Sequence, residues 1–220
     1  MKKTLLFFFM ILLCNIVKAQ YPYYEDDRLS FGVQIGADYD FPLGKLGFTY
    51  KPAISPNVSL LLSKSERFSI NITVGYHVYQ PKAAEFYYLI DDGENYGVDT
   101  FSEYKVKSAY LGFLYHIPFT ETIKGLAGLN FGIYKTDYET TSNDRQQSSI
   151  SGVADRNVYI GPKLGLSFNI TESIAWNVLV KYNLFSPTGN NDNLAPAVFN
   201  KDLGTVYTTL SAGTGISYKF

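Results

Sequence analysis

Cysteine is almost absent: Cys14 is the only one in 220 residues. It lies in an apolar N-terminal run, so a chain that has lost that run has no disulfide and no cysteine-held metal. Histidine is nearly as scarce, with His77 and His116 alone. The formal net charge of −1 gives no electrostatic reason for a nucleic-acid partner. After the first 20 residues no apolar run reaches membrane-helix length, and no stretch keeps a helical period. No internal repeat or second domain shows. A small exported domain usually relies on disulfides, and this one cannot. It is rich instead in tyrosine (19), phenylalanine (16) and glycine (18).

The opening "MKKTLLFFFMILLCNIVKAQ" has basic Lys2 and Lys3, an apolar stretch from Leu5 to Cys14, and a closing Val17-Lys18-Ala19. This pattern is that of a secretory signal peptide, too short and wrongly flanked for an anchor. The expected division is residues 1–19 as signal and 20–220 as a single domain. Leu13 stands before Cys14 where a lipoprotein signal needs a small residue, which argues against lipidation.

Beyond the signal, one pattern recurs. "LSFGVQIGADYDF" places Leu29, Phe31, Val33, Ile35, Ala37, Tyr39 and Phe41 on one face, with Ser30, Gly32, Gln34, Gly36, Asp38 and Asp40 on the other. Alternation with period 2 means a strand. "AISPNVSLLL", "FSINITVGYHVY", "YKVKSAYLGFLYHI", "LAGLNFGIYKT", "VYIGPKLGLSFNI", "IAWNVLVKYNLF" and the terminal segment from about Thr205 to Phe220 repeat it. About eight strands result, each near the ~9–11 residues that a tilted strand needs to cross a bilayer. Tight turns at 63–67, 118–122 and 171–173 alternate with longer polar segments at 42–50, 80–103, 139–156 and 187–204. Short and long connections in alternation are the layout of a transmembrane barrel with periplasmic turns and extracellular loops.

The polar face decides between a soluble and a membrane barrel. It is mostly Gly, Ser, Asn and Thr, whereas a water-facing strand surface would carry Lys, Glu and Arg. Glycine packs poorly on an open sheet but makes room inside a narrow barrel. The apolar face then meets lipid. Phe68, Tyr115, Phe168, Trp176, Tyr218 and Phe220 mark one interface, and Tyr39, Tyr76 and Tyr182 the other. The expected fold is all-β: a transmembrane, antiparallel, up-and-down β-barrel of eight strands. Its last strand pairs with its first, so no edge is left open.

The mature chain resembles the small outer-membrane β-barrels of Gram-negative bacteria, of the OmpX and OmpA-barrel kind. The signal ending "KAQ", the first strand "FGVQIGADYD" and the tyrosine-rich strands resemble the Bacteroidota branch, the PorT-like outer-membrane β-barrel family. The resemblance implies integral location in the outer membrane, surrounded by its lipid and lipopolysaccharide. It also implies that Ile216, Tyr218 and Phe220 form the C-terminal signal read by the barrel-assembly machinery. No catalytic motif comes with it.

Eight strands enclose a lumen that side chains just fill. A polar network of Asp38, Asp40, His77, Lys163, Lys181 and Lys219 is expected there, with Lys163 or Lys181 paired to Asp38 or Asp40, because an isolated buried charge is costly. The tyrosines and acids of the second long segment, Tyr87, Tyr88, Asp91, Asp92 and Tyr96, suit contact with another envelope protein or an external ligand. Its acids lack EF-hand spacing, and no metal or cofactor is expected. The expected role is a non-enzymatic structural or accessory barrel. The alternatives are a narrow channel or a subunit of a transport or type IX-like secretion complex. A lipid A-modifying enzyme ranks last: it would need His77 joined by Glu85 or Ser102, a geometry that spacing does not supply.

Overall fold

Alternation along each segment becomes register between segments in the computed structural model, which describes residues 29–65, 67–89, 96–144, 147–153, 156–186 and 207–220. The strands are β1 (Ser30–Leu43), β2 (Ala53–Ser65), β3 (Phe68–Tyr79), β4 (Phe86–Leu89), β5 (Tyr96–Phe101), β6 (Tyr104–Pro118), β7 (Ile123–Asp144), β8 (Gln147–Val153), β9 (Arg156–Asn169), β10 (Ile174–Ser186) and β11 (Tyr207–Lys219). A six-residue helix, α1 (Gly44–Thr49), follows β1. The chain enters it through Gly44 at φ 56°, a backbone conformation open to glycine and strained for most other residues.

Eight of the strands close into a barrel in the order β1–β2–β3–β6–β7–β9–β10–β11. β11 returns to β1 in an unbroken antiparallel ladder from Gly32↔Lys219 to Leu43↔Thr208. The last amide, on Phe220, donates to the carbonyl of Phe31 (2.9 Å). Closure leaves no open edge around the barrel, which removes the unpaired backbone groups that lipid cannot satisfy. The ends at which β2 meets β3, β6 meets β7 and β9 meets β10 lie on the same side as Phe220, here called the turn end; the opposite ends of the strands form the loop end.

The inside and outside of this barrel are reversed relative to a soluble one. Asp38, Asp40, Asn57, Asn71, Asn130, Lys163 and Lys181 are buried, while Ile35, Ile54, Leu60 and Leu164 are each at least 60% exposed. A continuous apolar belt of this kind far exceeds the few hundred Å² that water-soluble monomers expose. Lipid is the solvent it fits. Phe168 stacks on Trp176 with centroids 5.3 Å apart, and Tyr218 meets Phe220 edge-on at 5.3 Å. These outward rings form a girdle at the turn end. Tyr39, Phe41, Tyr76 and Tyr182, all exposed, form the other.

Two of the long polar segments carry strands among their described residues. β7 runs for 22 residues and continues past the apolar belt. There it pairs with β5 on one side (Val98↔Asn143 to Phe101↔Thr140) and β8 on the other (Tyr138↔Val153 to Asp144↔Gln147). β4 adds to β5, giving a four-stranded extension at the loop end. "ETTSND" hides this strand because both of its faces are polar, so no alternation shows.

Candidate functional site

The lumen is built in layers. In the middle, β1 supplies Asp38 and Asp40, two residues apart and therefore on one face. Asp38 Oδ2 accepts from Lys181 Nζ (2.6 Å) and Asn57 Nδ2 (3.0 Å). Asp40 Oδ2 accepts from Ser55 Oγ (2.5 Å), His77 Nδ1 (2.7 Å) and the Tyr79 hydroxyl (3.2 Å). Its other oxygen accepts from Ser211. His77 Nε2 reaches Ser108 Oγ (3.3 Å), and the imidazole lies parallel to the Tyr79 ring. Lys163 Nζ donates to Asn71 Oδ1 (3.0 Å). Both carboxylates are thus met by several donors, as buried charges must be.

Glycine makes space for these charges. A Cβ built on Gly112 would stand 2.6 Å from Lys163 Nζ, and one on Gly213 would overlap Asp38 Oδ1. Lys219 stands apart from the network. It is exposed, at the mouth of the turn end, where it lines a cavity of about 480 Å³ with Ser69, His116 and other polar side chains. Ser69 Oγ and His116 Nε2 are 2.8 Å apart there. The floor of this cavity is Leu114, Leu126 and Leu179, three buried leucines in contact.

Toward the loop end the lumen fills with rings. Tyr50, Tyr79, Phe101, Tyr104, Tyr134, Tyr138, Tyr159 and Phe185 form one buried cluster, with Leu46 of α1 packed into it. Tyr104 lies 5.2 Å from Tyr138, and Phe185 lies 4.8 Å from Tyr134. Tyr159 donates to Asn183 Oδ1 (2.6 Å) and so ties this plug to the polar layer. Sequence reasoning led to a polar filling and missed both the aromatic plug and the leucine floor. The signal available was Tyr104, Tyr134, Tyr159 and Leu179 falling on the glycine-bearing face of their strands.

On the extension, Tyr87 is 65% exposed. Its hydroxyl donates to Glu85, and that contact raises its pKa. Tyr88 is half-buried, and Tyr96 opens β5 opposite Leu89. Asp91 and Asp92 lie outside the described residues, as do the signal segment and Cys14. At the rim, Gln80 and Lys105 hold the Glu103 carboxyl below its usual pKa. Glu85 and Ser102 do not accompany His77: Ser102 Oγ instead accepts from the Glu139 amide (2.8 Å). No group of three or more metal-ligating side chains occurs among the described residues.

No protein-family model matches the chain, and no curated protein does. Among solved structures it is similar to the Neisserial surface protein A, NspA, with a TM-score of 0.54 and 16% identity over 88% of this chain and 99% of that one. The fold is that of a small transmembrane β-barrel. The chain is also similar to Ail, the attachment invasion locus protein of Yersinia pestis (TM-score 0.48, 13% identity, 88% and 99% covered). OprG, an outer membrane protein from Pseudomonas aeruginosa, gives 0.48 at 13% identity, with 87% and 95% covered. At such identities the likeness is one of fold, and the eight-stranded barrel with its lumen filled by polar and aromatic side chains is the frame on which function must be read.

Proposed function

We propose that this protein is a non-enzymatic, integral outer-membrane β-barrel of a Gram-negative bacterium, acting as an accessory component of the envelope through its extension at the extracellular end. Residues 1–19 serve as its export signal, and Ile216, Tyr218 and Phe220 as its assembly signal. The observation that carries the reading is the pairing of a lumen closed by the tyrosine plug with a folded sheet, β4–β5–β7–β8, projecting from the loop end. A barrel sealed in this way offers its surroundings a surface and not a passage. That surface carries exposed Tyr87, a residue type enriched where proteins meet. His77 is packed within the lumen against Asp40, Ser108 and Tyr79, which supports a structural role for it. Placement in the PorT-like Bacteroidota branch, and with it a link to type IX secretion, rests on the "KAQ" ending, the first strand and the tyrosine-rich strands.

The test is affinity capture of the tagged protein from native outer membranes in mild detergent, with the eluate identified by mass spectrometry. A stoichiometric envelope protein, lost when Tyr87 and Tyr88 are replaced by serine, is the expected result. Recovery of the barrel alone would overturn the accessory role.

A further inference from the structure

The outward face of the barrel changes character abruptly at one level. On β7 the outward residues Ala127, Leu129, Phe131 and Ile133 are followed by Lys135. The register sets Lys107 of β6 directly opposite Lys135, and Arg156 of β9 opposite Lys135 on its other side. Tyr76 of β3 stands opposite Lys107 in the same row. One step toward the turn end lie Val74, Ala109, Ile133 and Val158, likewise in register and all exposed. Two exposed lysines therefore sit side by side on neighbouring strands, at the upper border of the lipid-facing belt.

Like charges directly opposite in a sheet repel, and strands about 5 Å apart leave them little room. Lys107 and Lys135 are both exposed and make no ion pair among the described residues. Among the described residues of β6 and β7, the nearest carboxylates lie further from the belt. Asp137 is level with Lys105, which itself pairs with Glu103 at 3.4 Å, and Glu139 is beyond. Among the described residues the row is confined to one side of the barrel. The corresponding rim of β1, β10 and β11 carries Tyr39, Phe41, Tyr182 and Leu210.

We propose that Lys107 and Lys135 hold the phosphate groups of an outer-leaflet glycolipid of the lipid A class, whose acyl chains lie against Val74, Ala109, Ile133 and Val158. Phosphate bridging the row removes the repulsion, and the height of the row above the apolar belt matches a headgroup attached to chains in the bilayer. The inference rests on the membrane reading given above, and its test separates the two.

The full barrel, wild type and Lys107→Gln/Lys135→Gln, is reconstituted in phosphatidylcholine nanodiscs. These contain bisphosphorylated lipid A, dephosphorylated lipid A or neither, and co-purifying lipid is counted by native mass spectrometry. The wild type is expected to retain bisphosphorylated lipid A, with affinity about thirtyfold higher than the double variant, the effect of two lysines at an anionic membrane surface. Added inorganic phosphate is expected not to displace it. Equal retention by both proteins, or equal retention of the dephosphorylated lipid, would overturn the site. Displacement by inorganic phosphate would overturn the lipid as its source. Flotation with plain phosphatidylcholine vesicles reports on the membrane reading separately: a barrel that fails to float refutes that reading as well as the site.

Discussion

Replacing Lys181 with methionine removes one charge and almost no volume. The ammonium of Lys181 and the carboxylate of Asp38 are 2.6 Å apart, with side chains only 7% and 8% exposed. At an effective permittivity of about 20 their attraction is about 6 kcal/mol, offset largely by the cost of desolvating both ions. Deleting one partner keeps the cost for the other. Asp38 would then retain the Asn57 amide as its named donor, and the expected loss is about 3–5 kcal/mol. Replacing Asp38 with asparagine in the same chain should return much of that loss, because no uncompensated carboxylate remains. The assay is urea unfolding from lipid vesicles, followed by the fluorescence of Trp176, the only tryptophan, which lies on the lipid-facing side stacked on Phe168. A Lys181→Met protein within about 0.5 kcal/mol of wild type, the range of an ordinary surface substitution, would refute the ion pair as a structural element.

Gly112→Val forces a branched side chain onto the space of Lys163 Nζ, Asn71 and Asn130. It should cost about 1–3 kcal/mol and lower the folded fraction seen by heat-modifiable electrophoretic mobility. Gly44→Ala, placed where φ is positive and nothing lies within 4 Å, should cost about 1 kcal/mol through backbone strain alone; the same unfolding assay reads it, and unchanged stability would count against the strain. In planar bilayers the wild-type barrel should give no steady single-channel steps, and such steps would contradict the tyrosine plug. Removing Phe220 deletes a ring contact with Tyr218 and the terminal bond to Phe31. It should slow insertion by the assembly machinery, and unchanged insertion kinetics would argue against its role as a signal.

The barrel was legible because lipid imposes a strict rule: one face of every strand must be apolar for its whole crossing. β2 alternates buried and exposed residues through its first eight positions, and its sequence does the same. The small inward residues identified the interior as narrow. What sequence could not supply was partner choice within it. Lys181 stands level with Asp40 through Ser211, yet its ammonium reaches Asp38, because Asp40 is occupied by Ser55, His77, Tyr79 and Ser211. Such a choice depends on registers between residues 143 positions apart. The aromatic plug was hidden for another reason. A tyrosine suits a membrane interface and a barrel interior alike, so residue type does not say which side Tyr104 and Tyr159 serve; only their place on the glycine-bearing face does.

The unbroken length of β7 has a mechanical consequence. At about 3.3 Å per residue its 22 residues extend roughly 70 Å, from the turn end through the bilayer to the tip of the extension. The strand has no break between barrel and extension, so it acts as a stiff mast set in a fixed footing. Anything that docked on the extension would be held at a constant height and angle above the membrane. A sideways pull on it is transmitted as torque to the barrel wall instead of being absorbed at a hinge.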